Sequence, residues 1–275
     1  MAGHFTNTIS RWFGAFADHA FSSSLQTLIN RTYVNVMGLD MREFAPPETY
    51  PTLNKLFTRE LRKERPVDRA PEAFISPVDA LITECGALKE DQALQIKGMR
   101  YCVEALLTET YKEGAGRLRN GSYINFYLSP KDYHRYHVPC RMRVLSALHR
   151  PGALYPVNMP SLRKRKNLFV ENERVILECR TDKGGTFFMV LVGALNVGKM
   201  TLRFDPRIHT NARAESPTFY RYDDKPVILE KGEELGMFKM GSTVLVFAEP
   251  GLLEVETARG RKVRFGERVG RLTER

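Results

Sequence analysis

The sequence contains no apolar run long enough to cross a lipid bilayer as a helix. Its longest run begins at Phe187 and is broken at Asn196, whereas a spanning helix needs roughly 20 apolar residues. The mean hydropathy is −0.34. The N-terminus lacks the basic segment, the continuous apolar segment and the small-residue cleavage site of a signal peptide. We therefore exclude a membrane-spanning protein.

Cysteine is scarce and shows no paired spacing. The four cysteines form no C-x-x-C motif, which argues against a disulfide scaffold and against a zinc ribbon. We expect reduced thiols that are buried or half-buried. The sequence also lacks internal repeats, low-complexity segments, a P-loop and a G-x-S-x-G elbow. No nucleic-acid-binding motif is present.

Acidic residues are too few to balance the basic ones. The 275 residues include 42 Lys and Arg against 32 Asp and Glu, which gives a formal net charge of +10. Such a balance favours an anionic partner: nucleic acid, an acidic membrane surface or a phosphorylated substrate. Hydrophobic residues make up 43% of the chain, so a sizeable core is expected and disorder is not.

The pattern of apolar residues changes character near Pro66. Helical spacing predicts helices over residues 5–21, about 24–38 and 53–61. Beyond Pro66, short segments rich in β-branched and aromatic residues predict strands. These segments begin at Ala80, Tyr123, Arg143, Glu173, Thr186, Thr243 and Leu252. We predict an α+β fold, in which an N-terminal helical region (1–65) packs on a β-rich, mostly antiparallel body (66–275).

Three short motifs contain residues able to do chemistry. Asp79 follows Ser76-Pro77-Val78, where an aspartate more often closes a turn than catalyses. His134 and His137 have the spacing of one helical face, and suit a metal pair, an acid/base pair or two satisfied surface residues. The Gly-Ser-Thr tripeptide at 241–243 precedes a predicted strand and is nonspecific on its own.

Taken together, the motifs resemble the phosphatidylserine decarboxylase family, whose members are pyruvoyl-dependent proenzymes. The resemblance extends over roughly residues 30–270. It includes Leu53-Asn-Lys-Leu-Phe-Thr-Arg-Glu-Leu, Arg65-Pro66, Asp68, Tyr155-Pro-Val-Asn, Asn167-Leu-Phe-Val-Glu-Asn-Glu-Arg-Val and Val192-Gly-Ala-Leu-Asn-Val-Gly. Two positions depart from the family pattern. Met240 replaces the usual leucine, and Ala80 replaces a glycine, which predicts ordinary backbone angles after Asp79.

The resemblance implies the cofactor and the catalytic residues. A pyruvoyl group would form from Ser242 when the chain cuts itself at Gly241–Ser242, leaving a β-chain (1–241) and an α-chain (242–275). It implies that His137 is the base for Ser242, that Asp79 orients His137, and that His134 serves decarboxylation by handling the carboxylate or reprotonating the carbanion. Neither a metal nor pyridoxal phosphate is then required. The family also suggests a homodimer of such two-chain protomers.

A lipid substrate would explain two further features of the sequence. Apolar residues of the first helix form a stripe suited to the headgroup region of a bilayer, and a basic run suits acidic headgroups. These residues are Phe5, Ile9, Trp12 and Phe16 of the stripe, with Phe13, and Arg163, Lys164, Arg165 and Lys166 of the run. We expect peripheral association with the cytoplasmic side of the cell membrane. The plainer alternatives are a helix packed on its own core and a solvated basic surface.

The predicted function is decarboxylation of phosphatidylserine to phosphatidylethanolamine. One rival is a pyruvoyl decarboxylase that acts on another serine headgroup or on an amino acid. A second is a non-enzymatic basic protein that binds membrane or nucleic acid. The second rival is disfavoured because Asp79, His137 and Ser242 are all present.

Overall fold

The apolar run that begins at Phe187 forms the centre of the largest sheet. The computed structural model describes residues 5–96, 99–157, 161, 167–195, 199–208, 210, 216–239 and 242–273. The helices are α1 (Phe5–Asp18), α2 (Ser23–Met37), α3 (Leu53–Phe57), α4 (Val103–Leu107), α5 (Lys112–Arg117) and α6 (Leu168–Glu171). Short 3₁₀ turns span Pro47–Thr49 and Glu109–Tyr111. No described helix has both the length and the apolar character needed to cross a bilayer.

All the described strands follow α3 in the chain. They are β1 (Ala73–Ile75), β2 (Ala80–Ala87), β3 (Gln92–Ile96), β4 (Met99–Cys102), β5 (Ser122–Leu128), β6 (Arg135–His137), β7 (Met142–Arg150), β8 (Arg174–Thr181), β9 (Thr186–Gly193), β10 (Lys199–Leu202), β11 (Thr218–Arg221), β12 (Val227–Leu229), β13 (Glu234–Lys239), β14 (Ser242–Ala248), β15 (Leu253–Val255), β16 (Lys262–Val263) and β17 (Arg268–Leu272). The mixed composition and the antiparallel pairing confirm the predicted α+β class.

One large antiparallel sheet organises the β-rich part of the chain. Its strand order is β11-β7-β8-β9-β14-β5-β2-β16, with β12 paired to β7. β9 and β14 lie at its centre and are buried on both faces, which explains why their sequences are continuously apolar rather than alternating. Two smaller sheets, β10-β13-β6 and β1-β17-β15, lie beside it.

The N-terminal helices have a small apolar core of their own. Ala17 of α1 packs there with Leu53, Leu56 and Phe57 of α3, and side chains of α2 complete the cluster. Gly38 ends α2 in the left-handed conformation, with φ of 64°, which is the usual role of glycine at a helix C-terminus. The Thr52 hydroxyl accepts the Lys55 N–H and begins α3.

The third helix is shorter than predicted. It ends at Phe57 rather than near Leu61, because the next residues bond to the β-rich part of the chain instead of continuing the helix. The Thr58 carbonyl oxygen accepts from Arg135 Nε at 3.1 Å. The Arg59 guanidinium donates to the Lys131 carbonyl oxygen at 2.8 Å. These contacts fasten the helical region to residues 131–135, where the loop leads into β6.

The four cysteines are free, as expected. Cys140 and Cys179 are buried, and Cys85 and Cys102 are partly exposed.

Candidate active site

Asp79 lies in the turn that leads into β2. The turn is closed by the Ser76 hydroxyl, which donates to the Val78 carbonyl oxygen at 2.6 Å. Asp79 Oδ1 accepts from Arg65 Nη1 at 2.5 Å and from the main-chain N–H of Phe265 at 2.8 Å. Ala80 is absent from the residues with positive φ, so the prediction of ordinary backbone angles after Asp79 is confirmed. The carboxylate is thus fixed by two donors.

His137 is the last residue of β6 and is held on both ring nitrogens. Nδ1 lies 3.0 Å from the Gly232 carbonyl oxygen, and Nε2 lies 3.2 Å from the Tyr133 hydroxyl. A carbonyl can only accept, so Nδ1 has the proton, and in the neutral ring Nε2 accepts from Tyr133. Burial, together with the positive charges of Arg135, Arg65 and Arg203, lowers the pKa of His137 to about 4. The neutral form is therefore the resting one.

Two aromatic rings enclose the His137 imidazole. The Phe265 ring stacks on it with centroids 3.6 Å apart and planes 14° from parallel. Tyr133 stacks on it more loosely, with centroids 5.8 Å apart. The ring is therefore fixed in orientation before any reaction begins.

The described contacts include no direct hydrogen bond between Asp79 and His137, but the two residues share neighbours. Among the described contacts, the two meet at Phe265, whose N–H binds Asp79 and whose ring stacks on His137. They also meet through Arg65, which binds Asp79 and lies 5.4 Å from the centroid of the Tyr133 ring. The carboxylate and the imidazole are therefore joined through Phe265, Arg65 and Tyr133.

His134 lies in the loop before β6 and is completely buried. Its Nδ1 donates to the Asp132 carbonyl oxygen at 2.8 Å, while its Nε2 has no hydrogen-bond partner among the described residues. The Phe57 ring packs on it with centroids 4.0 Å apart. Burial, with the positive charge of Arg59, lowers the pKa of His134 to about 3. This ring too is neutral at physiological pH.

Ser242 begins β14, the strand between β5 and β9. Its main chain is paired with Leu128 on one side and Gly193 on the other. The strand before it, β13, ends at Lys239, and the Phe238 N–H donates to the His134 carbonyl oxygen at 2.9 Å. Phe238, near the end of β13, therefore lies beside His134. Gly241 and the Ser242 side chain lie outside the described residues.

The two histidines differ in position along β13. His134 lies beside Phe238, whereas His137 lies opposite Glu234. They do not converge on one point as a metal pair would, because their four ring nitrogens have different surroundings. Within the described parts of the chain, no three His, Cys, Asp or Glu side chains form a group able to hold a metal ion.

Two cavities open beside these residues and share a wall formed by Arg65 and Tyr133. One, of about 660 Å³, is lined also by Asp79, Arg59 and Lys131. The other, of about 480 Å³, is lined also by His137 and by the Lys231–Glu234 turn. Basic side chains outnumber acidic ones around each cavity, which favours an anionic ligand.

Sequence reasoning missed four residues that shape this site. Tyr133 stood inside the histidine motif, and Arg65 stood in a segment that resembled the family, but neither had a predicted role. Arg59 was hidden in the predicted third helix. No sequence motif pointed to Phe265, because this residue lies near the C-terminus, outside all three motifs.

The residues expected to contact lipid fall into two groups. Trp12 and Phe16 are 77% and 44% exposed, whereas Phe13 packs against the small helical core. Leu28 and Val36 of α2 are exposed as well, at 62% and 76%. The side chains of Phe5 and Ile9, and the whole basic run of residues 163–166, lie outside the described residues.

Comparison with known proteins gives one consistent result. The family model described as phosphatidylserine decarboxylase matches residues 53–271. A phosphatidylserine decarboxylase proenzyme of Helicobacter pylori strain Shi470 is 48% identical over 265 residues, covering 96% of this chain and 97% of the relative. The proenzyme of Campylobacter jejuni is 44% identical over 270 residues, covering 96% and 98%. That of Anaeromyxobacter sp. strain K is 36% identical over 268 residues, covering 96% and 94%.

Proposed function

We propose, from the fact that the chain belongs to the phosphatidylserine decarboxylase family, that it converts phosphatidylserine to phosphatidylethanolamine and carbon dioxide. The observation that carries the proposal is the position of Ser242. It begins a central strand. The strand β13, which ends three residues earlier in the chain, bonds through Phe238 to a buried histidine whose Nε2 has no partner among the described residues.

We propose that the chain makes its own electron sink at Ser242. The Ser242 hydroxyl loses its proton to a base, and Oγ attacks the Gly241 carbonyl carbon. The Gly241–Ser242 C–N bond breaks as an ester forms, and the released nitrogen takes a proton. Loss of the α-proton of residue 242 then breaks the C–O bond, freeing the Gly241 carboxylate and leaving dehydroalanine. Water converts this residue to a pyruvoyl group and ammonia.

The residues around Ser242 fit a pyruvoyl group. Residue 242 would remain fixed after the cut, because its strand is paired on both sides, with residue 242 opposite Leu128 and Gly193. Once formed, the group supplies a conjugated carbonyl that accepts the electron pair left when carbon dioxide departs. The chain needs only to bind the substrate, orient it and control protons.

His137, with Asp79, is our proposed base for Ser242. A base must tolerate the positive charge that it gains. The arginines nearest His137 are already paired with carboxylates, since Arg65 binds Asp79 and Arg135 binds Glu234. Tyr133 donates to His137 Nε2, so a proton that reaches this nitrogen must displace the Tyr133 hydroxyl or pass through it. His134 is our proposed residue for the decarboxylation step.

The short C-terminal product would stay bound after the cut. Residues 242–275 supply β14 at the centre of the main sheet, β16 at its edge, and both β15 and β17 of a small sheet. β17 also pairs with β1 of the larger product. Separating the two chains would expose the buried apolar residues 244–248 of the central strand, so we propose that they act as one non-covalent unit.

The N-terminal helices support a lipid rather than a soluble substrate. Exposed Trp12, Phe16, Leu28 and Val36 present an apolar surface, and the +10 charge attracts the chain to anionic lipid. We propose peripheral binding to the cytoplasmic face of the cell membrane through these helices. The rival function, a pyruvoyl decarboxylase that acts on a soluble serine derivative, would not need this surface.

Intact mass and a paired substrate assay test the proposal. The wild-type chain should appear as two masses split at Gly241–Ser242, whereas Ser242→Ala should remain one inactive chain. Ser122→Ala is a matched control, since Ser122 lies at the other end of the strand pair opposite Ala248 and should leave the cut unchanged. Phosphatidylserine in vesicles should be decarboxylated faster than deacylated glycerophosphoserine. A fully active uncut wild type, or fragments from Ser242→Ala, would refute the proposal.

A further inference from the structure

Arg59 is a buried guanidinium without a carboxylate partner. The residue is 2% exposed, and among the described residues its hydrogen bonds go to main-chain carbonyl oxygens. Nη2 donates to Lys131 at 2.8 Å and to Asp132 at 3.2 Å. Its Nε has no partner, and the group stacks over the Phe44 ring at 4.4 Å. Burying an unneutralised charge is costly, so its presence beside the site calls for a function.

One carbonyl oxygen, that of Asp132, accepts hydrogen bonds from both Arg59 and His134. His134 Nδ1 donates to the Asp132 carbonyl oxygen at 2.8 Å, and Arg59 Nη2 donates to it at 3.2 Å. Arg59 thereby fixes the acceptor that sets the His134 tautomer. Phe57, two residues earlier, packs on the other part of the ring. The end of α3 thus determines both the position and the proton arrangement of His134.

Among the described residues, Asp79 and Asp132 act on Arg59 through their charge, but neither forms an ion pair with it. The Asp132 carboxylate is bound by the Ser129 N–H and hydroxyl, each at 2.7 Å. Asp79 is bound by Arg65, and Lys239 lies toward Asp18 at 3.9 Å. A proton on His134 Nε2 would therefore meet a positive charge that no ion pair among the described residues neutralises.

We propose that Arg59 is a positioning residue that keeps His134 uncharged, with Nε2 as a hydrogen-bond acceptor for the amino group of the substrate. This inference rests on the proposed function and refines it. With its proton fixed on Nδ1, the neutral ring has only a lone pair at Nε2, which repels a carboxylate but accepts from an N–H group. His134 thus orients the amine rather than binding the carboxylate.

Two Arg59 variants separate charge from packing. Arg59→Gln removes the positive charge and keeps an amide N–H donor. Arg59→Lys keeps the positive charge but loses the planar guanidinium with its several N–H donors. In ¹⁵N-histidine spectra, His134 of Arg59→Gln should begin to protonate at higher pH than in wild type. In the kcat/KM profile of this variant, the acid limb should shift to higher pH by about one unit. Arg59→Lys should keep the wild-type titration, even if kcat falls roughly tenfold.

Arg174→Gln is the matched control. Arg174 is also 2% exposed and bonds to main-chain carbonyl oxygens, including that of Leu106 at 2.8 Å. Its replacement should lower the melting temperature without moving the His134 titration. If Arg59→Gln titrates like wild type, or if both Arg59 variants shift alike, Arg59 is a structural residue and the inference fails.

A ligand comparison tests the amine contact directly. Short-chain phosphatidylethanolamine has N–H donors, whereas short-chain phosphatidylcholine has none. The first should shift the His134 Nε2 resonance and the second should not. Equal shifts, or no shift with either lipid, would overturn the inference. If the wild-type chain is not cut at all, the proposed function fails instead, and the two failures remain distinguishable because the His134 titration is measurable in the uncut chain.

Discussion

The Phe265 ring lies flat on His137, 3.6 Å between centroids and 14° from parallel. The main-chain N–H of the same phenylalanine donates to Asp79 Oδ1 at 2.8 Å. One residue of the C-terminal segment therefore connects the carboxylate with the imidazole. Since Phe265 falls in the proposed α-chain, the smaller product completes the site from which it is cut.

Replacing Phe265 with leucine should slow self-cleavage. The leucine keeps the main-chain bond to Asp79 but removes the stacked ring, so the His137 imidazole gains rotational freedom. Because misplacement of a catalytic group is costly, we expect the cut to slow by about tenfold or more. The rate can be followed by gel electrophoresis of freshly translated chain.

Phe204→Leu provides the control for this measurement. Phe204 packs edge-on against Tyr222, with centroids 5.5 Å apart, and has no contact with either histidine among the described interactions. A similar loss of cleavage in both variants would show that general destabilisation, rather than the ordering of His137, is responsible.

The two histidines should fail at different stages. His137→Ala should leave the chain uncut, because removing a general base typically costs about 10²–10⁴ in rate. His134→Ala should still be cut, at least partly, but should lose decarboxylation. Intact mass reports the first step and carbon dioxide release reports the second.

Exposed His19 offers a control for the histidine series, and His19→Ala should complete both steps. If His134→Ala and His137→Ala both abolish the cut completely, the proposed division of roles is wrong. The position of His134 beside Phe238 would then favour a direct part for it in activating Ser242.

The sheet was predictable where the sequence was continuously apolar, and less so where it contained glycine. The predicted strands at Ala80, Tyr123, Arg143 and Thr186 were confirmed within a few residues. β13 was missed because Gly236 weakens the strand pattern. A Cβ there would lie 1.9 Å from the Thr201 carbonyl oxygen, so the glycine is required by the close approach of β10.

The candidate site was predictable as a set of residues but not as a set of contacts. Asp79 and the two histidines stand in local motifs, so their chemistry could be inferred from short segments. Phe265 reaches Asp79 across 186 residues, and Arg59 reaches the Asp132 carbonyl across 73. Such contacts depend on strand pairing between distant segments, which no local pattern encodes.

Acidification should destabilise the folded protein below about pH 6.5. Burial lowers the pKa of His134 to about 3 and of His137 to about 4, against about 6.5 in the unfolded chain. Between these values the unfolded state binds protons that the folded state does not, so the free energy of unfolding falls as pH falls. Each histidine should cost about 2 kcal/mol between pH 7 and pH 5.

Urea unfolding of the uncut Ser242→Ala chain measures this dependence in a single covalent chain. Adding His134→Gln and His137→Gln should flatten the curve between pH 7 and pH 5. A parent chain whose stability is constant over that range would contradict the neutral buried state of both rings.

Removing the exposed apolar residues of α1 should weaken membrane binding without unfolding the protein. Trp12 and Phe16 are 77% and 44% exposed, and each should contribute about 1.5–3 kcal/mol if it enters the bilayer. Replacing both with serine should therefore reduce binding to phosphatidylserine vesicles by about a hundredfold or more. Higher salt should weaken the remaining binding, since the Debye length falls from about 10 Å at 0.1 M to 3 Å at 1 M.

The matched control removes apolar residues from another part of the surface. Phe219 of β11 and Ile228 of β12 are 43% and 53% exposed, and replacing both with serine should leave vesicle binding unchanged. Activity on a short-chain, monomeric phosphatidylserine should survive in both double variants, because neither pair touches the candidate site. If co-sedimentation with vesicles falls equally in the two variants, or in neither, α1 does not dock on the bilayer and the lipid must reach Ser242 from another face.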